Sequence, residues 1–411
     1  MLEDLFPRTH KRYRSLPILG PTLEAFAEFL VARGYPRLPI RRHIRTAVLV
    51  DEELRRQGCH SITQVTRAAL CACGPPPGRS QDNRSRAATV RILKCYFDEV
   101  RILPPAPPGS HVEKTVAEYQ TFLCQVRGFA PSTLNSHGRT ALAFSEHVGG
   151  EVGLTNLTLS QIEDFVRDTG NRVGRATLQH VVSELRSFLR FLSARGEAPA
   201  GLDAHIDTPC VYRNERLPRA LPWETVQALL SSIDRSTPLG LRDYAMLSLI
   251  TTYGLRSSEV VGLKLEDIEW RAARLCVPQR KTSSPLLLPL TDNIGEVLVQ
   301  YLRCGRPTVR CREVFVRHRA PSGVLKPTAV TEVFQAWSRR SGLGIPFQGP
   351  HCLRHSYALH LLHHGTSLKT IGDLLGHRTA ERTCVYLRLA VDDLRDVPLG
   401  LPSPSAQEMN S

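Results

Sequence analysis

The sequence has no uninterrupted apolar run approaching about 18 residues, the length a helix needs to cross a bilayer, so no membrane span is expected. Its N-terminus, MLEDLFPRTHKRYRSLP, mixes acids, bases and prolines and lacks the apolar stretch a secretory signal requires. The 11 cysteines include no CxxC pair, and Cys71 and Cys73 stand too close together for ordinary metal-ligand spacing. They read as reduced thiols acting as small buried hydrophobes in a cytoplasmic protein. Lysine is scarce, with seven against 46 arginines, and only 10 tyrosines occur in 411 residues. A lysine or tyrosine beside a motif therefore departs from this chain's habit.

What is present points first to size and charge. A chain of 411 residues exceeds what one hydrophobic core usually supports and implies two or three domains. Its 53 Lys and Arg against 39 Asp and Glu leave a net charge of +14, which favours a polyanionic partner, nucleic acid before a membrane surface.

Proline and glycine punctuate the chain at GPPPGRS (74–80), at PPAPPG (104–109), the best candidate for a linker, and in a PSPSAQ tail. Between 111 and 200, apolar residues recur at helical spacing, as in Val116, Tyr119, Phe122, Leu123 and Val126, and again in Val181, Val182, Leu185, Phe188, Leu189 and Leu192. A helical bundle is expected there. The stretch RGYPRLPIRRHIRTA, 33–47, aligns without gaps on RGFAPSTLNSHGRTA, 127–141, and ITQV at 62–65 resembles LSQI at 159–162. One helical module occurring twice accounts for this; chance similarity between two amphipathic bundles is the alternative.

From about 217 the texture changes. LPWETVQALLSSI reads as an amphipathic helix, and LRDYAMLSLITTYGLRSSEVVGL as two helical runs divided by Gly254. RLCVP and PLLLPL read as strands with QRKTSS as the hairpin turn between them, and helices resume from 328 to about 395. Four constellations fall in this half. Arg256 and Glu259 are three apart and share a helix face if a helix starts after Gly254; His351 and Arg354 repeat the spacing; Lys281 caps the hairpin; and His377 precedes Tyr386 by nine residues. Each alone has an ordinary reading, since an Arg–Glu pair is usually a surface ion pair and a tyrosine usually packing.

Taken in order, YGLRxSE, the hairpin lysine, LRHS, LLGH and the tyrosine nine beyond that histidine resemble the tyrosine recombinase (phage integrase) family, whose transposon-borne members also carry extended N-terminal regions. The resemblance is specific over about 217–395 and looser over 111–200. It implies a mainly α fold with a small β component: a core-binding helical DNA-binding domain over 110–200 and an α+β catalytic domain over 214–395. Residues 1–105 lie outside the family's two-domain pattern and read as an additional N-terminal helical region, a candidate duplicate of the next module, and 396–411 read as a flexible tail. The resemblance further implies a clamp around double-stranded DNA, cutting without metal or nucleotide cofactor, and a homo-tetramer on two recombination sites, alone or with other recombinases. By the same resemblance Tyr386 is the nucleophile, Arg256 and Arg354 bind the phosphate, Lys281 is the general acid, His351 and His377 bond the phosphate or take the tyrosine proton, and Glu259 orients Arg256.

The residue types suit that chemistry. A phenol can conserve phosphodiester energy in a covalent bond, guanidiniums offer paired donors that never deprotonate, and imidazole changes charge near neutrality. The pattern departs from the family's in two places: Thr282, Ser283, Ser284 and Pro285 follow Lys281 where glycine and further basic residues are frequent, and Arg382-Thr383 stands for a Thr-Thr pair. Two other readings compete. A non-catalytic DNA-binding accessory subunit is opposed by intact residues at all six catalytic positions. A metal enzyme using His351, His355, His360, His363, His364 and His377 is opposed by the lack of a carboxylate among the first five.

Overall fold

The computed structural model of the chain describes residues 1–75, 81–103, 110–212, 217–278, 285–377 and 379–389. Lys281 and the tail expected over 396–411 lie outside the described residues. The chain forms two compact units, one of Met1–Leu103 with Leu217–Ser411, the other of Pro104–Arg216.

In the first unit, two short helices, Leu2–Leu5 and His10–Arg14, precede α1 (Gly20–Ala32), α2 (Arg37–Arg56), α3 (Arg67–Ala72) and α4 (Gln81–Glu99). Their core is built at helical spacing: Leu23, Phe26, Ala27 and Leu30 of α1 meet Ile40, Ile44, Ala47, Val50 and Leu54 of α2 and Leu93, Tyr96 and Phe97 of α4. The fully buried Asp51 fixes the entry to α1, its Oδ1 accepting the backbone N–H groups of Ile18 and Leu19 at 3.0 and 2.7 Å.

The second unit holds α5 (His111–Arg127), α6 (Pro131–His147), α7 (Leu159–Arg172) and α8 (Arg175–Ala194). Ser110 caps α5 reciprocally with Glu113, and Thr158 caps α7 with Gln161, so free N–H groups at both helix starts find side-chain acceptors. Tyr119, Leu123, Phe144, Phe165, Leu185 and Phe188 fill its separate core.

The remainder of the first unit is a larger mixed layer: α9 (Trp223–Ser231), α10 (Pro238–Tyr253), α11 (Ser257–Gly262), strands β1 (Ile268–Glu269), β2 (Arg274–Val277) and β3 (Leu286–Pro289), α12 (Asp292–Gln300), α13 (Thr328–Ser341), α14 (His351–His363), α15 (Leu368–Leu375) and α16 (Glu381–Cys384), with a 3-10 turn over Val385–Arg388. The strands pair antiparallel in the order β1-β2-β3, with Leu275 opposite Leu288 and Val277 opposite Leu286, so one apolar face covers the core. α10 is buried nearly all round, which explains why TTYGLR begins a site: the helix delivers its end to the interior. No helix among the described residues is long and apolar enough to cross a membrane.

Candidate active site

The site grows from the end of α10. Gly254 takes φ 64°, a left-handed conformation that closes the helix, and a Cβ there would stand 2.4 Å from Leu375 Cδ2 and 3.0 Å from Tyr357 Cδ1. The chain therefore turns against α14 and α15, and Arg256 arrives at the N-cap of α11. The sequence reading placed Arg256 and Glu259 on one helix face; instead Arg256 stands before the first turn and Glu259 reaches back to it. Glu259 Oε2 accepts the Arg256 backbone N–H at 2.8 Å, and Oε1 accepts its Nη1–H at 2.7 Å. With only 5 % of Glu259 exposed, its carboxylate is sheltered while Arg256 stays half-buried, which sets the pair apart from the surface ion pair that spacing alone suggests.

Arg354, on the first turn of α14, is 3 % exposed. It donates to the carbonyls of Gly254 and Leu375, the latter at 2.6 Å, while Arg256 Nη2 donates to the carbonyl of Gly376 at 3.5 Å. The ends of α10 and α15 thus aim carbonyls at the two cations. Burial, with Arg256 next in weight, lowers the Arg354 pKa to about 10, so it stays charged at neutral pH. Two guanidiniums against one carboxylate, Glu259, leave local positive charge that an anion such as a phosphate diester would neutralise.

Tyr386 lies in the 3-10 turn after α16 and is 1 % exposed. Its hydroxyl is hydrogen-bonded to His355 Nδ1 at 3.1 Å. His377, just beyond the end of α15, is held by Thr383 Oγ1 2.8 Å from its Nδ1, with its ring nearly parallel to that of Tyr386 at 6.4 Å between centroids. The His351 and His355 rings meet edge to face at 4.4 Å. Burial, then neighbouring cationic and imidazole groups, pushes His355 and His377 down to about 4, so both rings are neutral at pH 7. Burial raises the Tyr386 pKa, and Arg354 and Arg256 oppose that rise. A neutral imidazole against a phenol within the field of two guanidiniums can take the phenolic proton while an anion sits on the guanidiniums.

Arg256, Glu259, Arg354, His377 and Tyr386 are thereby gathered around the ends of α10, α14 and α15, with His351 beside them at the exposed head of α14. Two residues escaped the sequence reading. His355 entered it only as a metal-ligand candidate; it lies one turn after His351 on α14 and meets the Tyr386 hydroxyl. Thr383 drew notice only as half of an altered pair, yet it sets the His377 ring. Among the described residues, no group of three or more His, Cys, Asp or Glu is arranged to hold a metal ion.

The Phage integrase family profile matches residues 219–392, and the profile of the phage integrase N-terminal SAM-like domain matches residues 116–196. The integrase/recombinase y4rA of Sinorhizobium fredii (strain NBRC 101917 / NGR234) is 32% identical over 406 residues, covering 94% of this chain and 96% of that one. The tyrosine recombinase XerD of Listeria monocytogenes serotype 4b is 31% identical over 293 residues, covering 69% of this chain and 96% of its own. In fold, the chain resembles a lambda integrase dimer bound to a COC′ core site (TM-score 0.53, 17% identity, 74% of this chain and 87% of that one) and the XerH recombinase bound to its difH substrate (TM-score 0.51, 17% identity, 84% and 95%). The chain belongs to the phage integrase family of tyrosine recombinases and is a site-specific DNA recombinase.

Proposed function

We propose that this recombinase cuts and rejoins duplex DNA through Tyr386. The observation that carries the reading is the Tyr386 hydroxyl held 3.1 Å from a neutral His355 beside Arg354 and Arg256. His355 takes the phenolic proton, the phenolate oxygen attacks phosphorus, and the P–O5′ bond breaks, leaving a 3′-phosphotyrosyl bond and a free 5′-hydroxyl. Arg256 and Arg354 bond the non-bridging oxygens as charge accumulates there, with His351 and His377 adding donors. Glu259 keeps Arg256 in place. Attack by a 5′-hydroxyl on the phosphotyrosine reverses the step, so neither metal nor nucleotide enters.

Lys281 completes the set as the acid that protonates the departing 5′-oxygen. A 5′-bridging phosphorothioate turns that oxygen into a thiolate, which leaves without a proton. Lys281→Ala is expected to cleave ordinary DNA slowly and the sulfur substrate at close to the wild-type rate, whereas Arg256→Ala stays defective on both. Equal defects of Lys281→Ala on the two substrates would remove the acid role.

At larger scale, residues 110–200 serve as the core-binding domain and 214–395 as the catalytic domain, four copies assemble on two sites, and the reaction serves transposition in the cytoplasm. The direct test of function is denaturation-resistant capture of the protein on a nicked duplex carrying its site, in EDTA. Wild-type protein is captured and Tyr386→Phe is not; capture of Tyr386→Phe would refute the nucleophile.

A further inference from the structure

We propose that residues 1–103 form a second DNA-binding module, a structural repeat of the helical bundle in the second unit, which grips duplex DNA through a basic cleft between α2 and α4; this rests on the recombinase reading above.

The repeat seen in sequence is matched at several aligned positions in geometry. Gly34 and Gly128 both adopt positive φ, 76° and 63°, just after the first long helix of each module. The residues that cap the start of the next helix, Pro36 and Ala130, share one extended backbone conformation, φ −66° and ψ 159° against φ −66° and ψ 151°. The aromatic after each glycine packs on the aligned histidine: Tyr35 on His43 at 5.6 Å between centroids, Phe129 on His137 at 5.4 Å. Each histidine is buried and bonded through Nδ1 at 2.8 Å, His43 to Thr89 and His137 to Tyr119. Downstream, Val65 and Ile162 are both buried, and Gln64 and Gln161 each accept a backbone N–H from just upstream, at 2.7 and 3.0 Å. Aligned positions thus share backbone conformation and ring packing, while the two histidines bond residues of different helices, Thr89 of α4 and Tyr119 of α5.

Both modules open a cleft against their second long helix and their last, that of the second unit being lined by α7 as well. In the second unit Ser136, Arg139 and Thr140 of α6 face Thr177, His180 and Glu184 of α8. In the N-terminal module the cleft, about 470 Å³, is lined by Pro39, Arg42 and His43 of α2 and by Arg84, Ser85 and Ala88 of α4. Charge separates the two. Residues 110–200 carry nine Lys and Arg against nine Asp and Glu, whereas residues 1–103 carry 18 against 10, a surplus of eight out of the chain's fourteen. Many of the N-terminal cations are consumed in ion pairs, Arg33 with Glu99, Arg67 with Asp98 and Arg86 with Glu53 among them. Arg42 and Arg84 at the cleft, and Arg91 two turns on from Arg84 along α4, are exposed and make no ion pair among the described residues. Exposed, unneutralised guanidiniums around a concave site of this size suit successive phosphates of a duplex.

The test uses the full chain and the triple variant Arg42→Gln/Arg84→Gln/Arg91→Gln. Affinity for a long duplex with native flanks is measured against salt concentration, with hydroxyl-radical footprints on the same DNA. Each lost phosphate contact flattens the log–log salt slope by about 0.9, so the variant's slope falls by about 2 to 3 and protection shortens at one end of the footprint. The triple Arg→Lys variant, which keeps the charge, restores both, and this excludes misfolding as the cause. Covalent capture on a minimal core duplex is unchanged in all three proteins, and if wild type fails that assay the recombinase reading fails separately. An unchanged slope and footprint in the Gln variant would overturn the proposal and assign this face to a partner other than DNA.

Discussion

His355 touches the hydroxyl proposed as the nucleophile, so on that proposal its charge sets when Tyr386 can be activated. Protonation fills Nδ1 and removes the acceptor for the phenolic proton. Because burial and neighbouring positive groups hold its pKa to about 4, the ring is ready throughout the range above that value. The acid limb of kcat/KM, which reports the free protein, is accordingly expected near 4 rather than near the 6.5 of an unperturbed histidine. His355→Ala should cut single-turnover cleavage by about 10²- to 10⁴-fold, the range of general acid–base assistance, without weakening DNA binding. Wild-type cleavage in that variant would move the base to His377 or His351.

At the level of elements, the site depends on two helix ends that present carbonyls to arginines. Gly254→Ala would force a side chain into positive φ and against Leu375 and Tyr357, at a cost of about 1 to 3 kcal/mol. It would also displace the carbonyl that Arg354 bonds, so cleavage is expected to fall further than binding. Urea unfolding and single-turnover rates check the two halves of this prediction, and an unaltered cleavage rate in a destabilised protein would show that the helix end does not set the site. Much of this layout was legible in the sequence. Gly254 announced a helix break, and the short apolar stretches RLCVP and PLLLPL on either side of QRKTSS announced paired strands. His355 was not, because sequence spacing gave no sign that a turn beginning at Val385 would fold Tyr386 back onto α14. Arg256 was misplaced for a related reason: i to i+3 spacing is the same whether both residues lie within a helix or one caps it, and only the Glu259 bond to the Arg256 backbone N–H distinguishes them.

For the whole molecule, His43, His318, His355 and His377 are all pushed down to about 4, mainly by burial. Their unfolded forms take up protons near 6.5, so between about 4 and 6.5 the unfolded chain binds more protons than the folded one. Stability should therefore be full above about 6.5 and decline as pH falls toward 4. Melting temperatures across that window test this, and replacing His43 with Gln should shallow the decline; a flat profile would contradict the buried neutral rings.

The central claim is that the oxygen of Tyr386 becomes bonded to DNA phosphorus. The most direct measurement is to trap the protein on a suicide duplex in EDTA, digest protein and DNA, and identify by mass spectrometry the peptide that retains a nucleotide. The account predicts one modified peptide, carrying the 3′-phosphate on Tyr386. A nucleotide on any other residue would contradict it, as would a phosphate joined through the 5′ end.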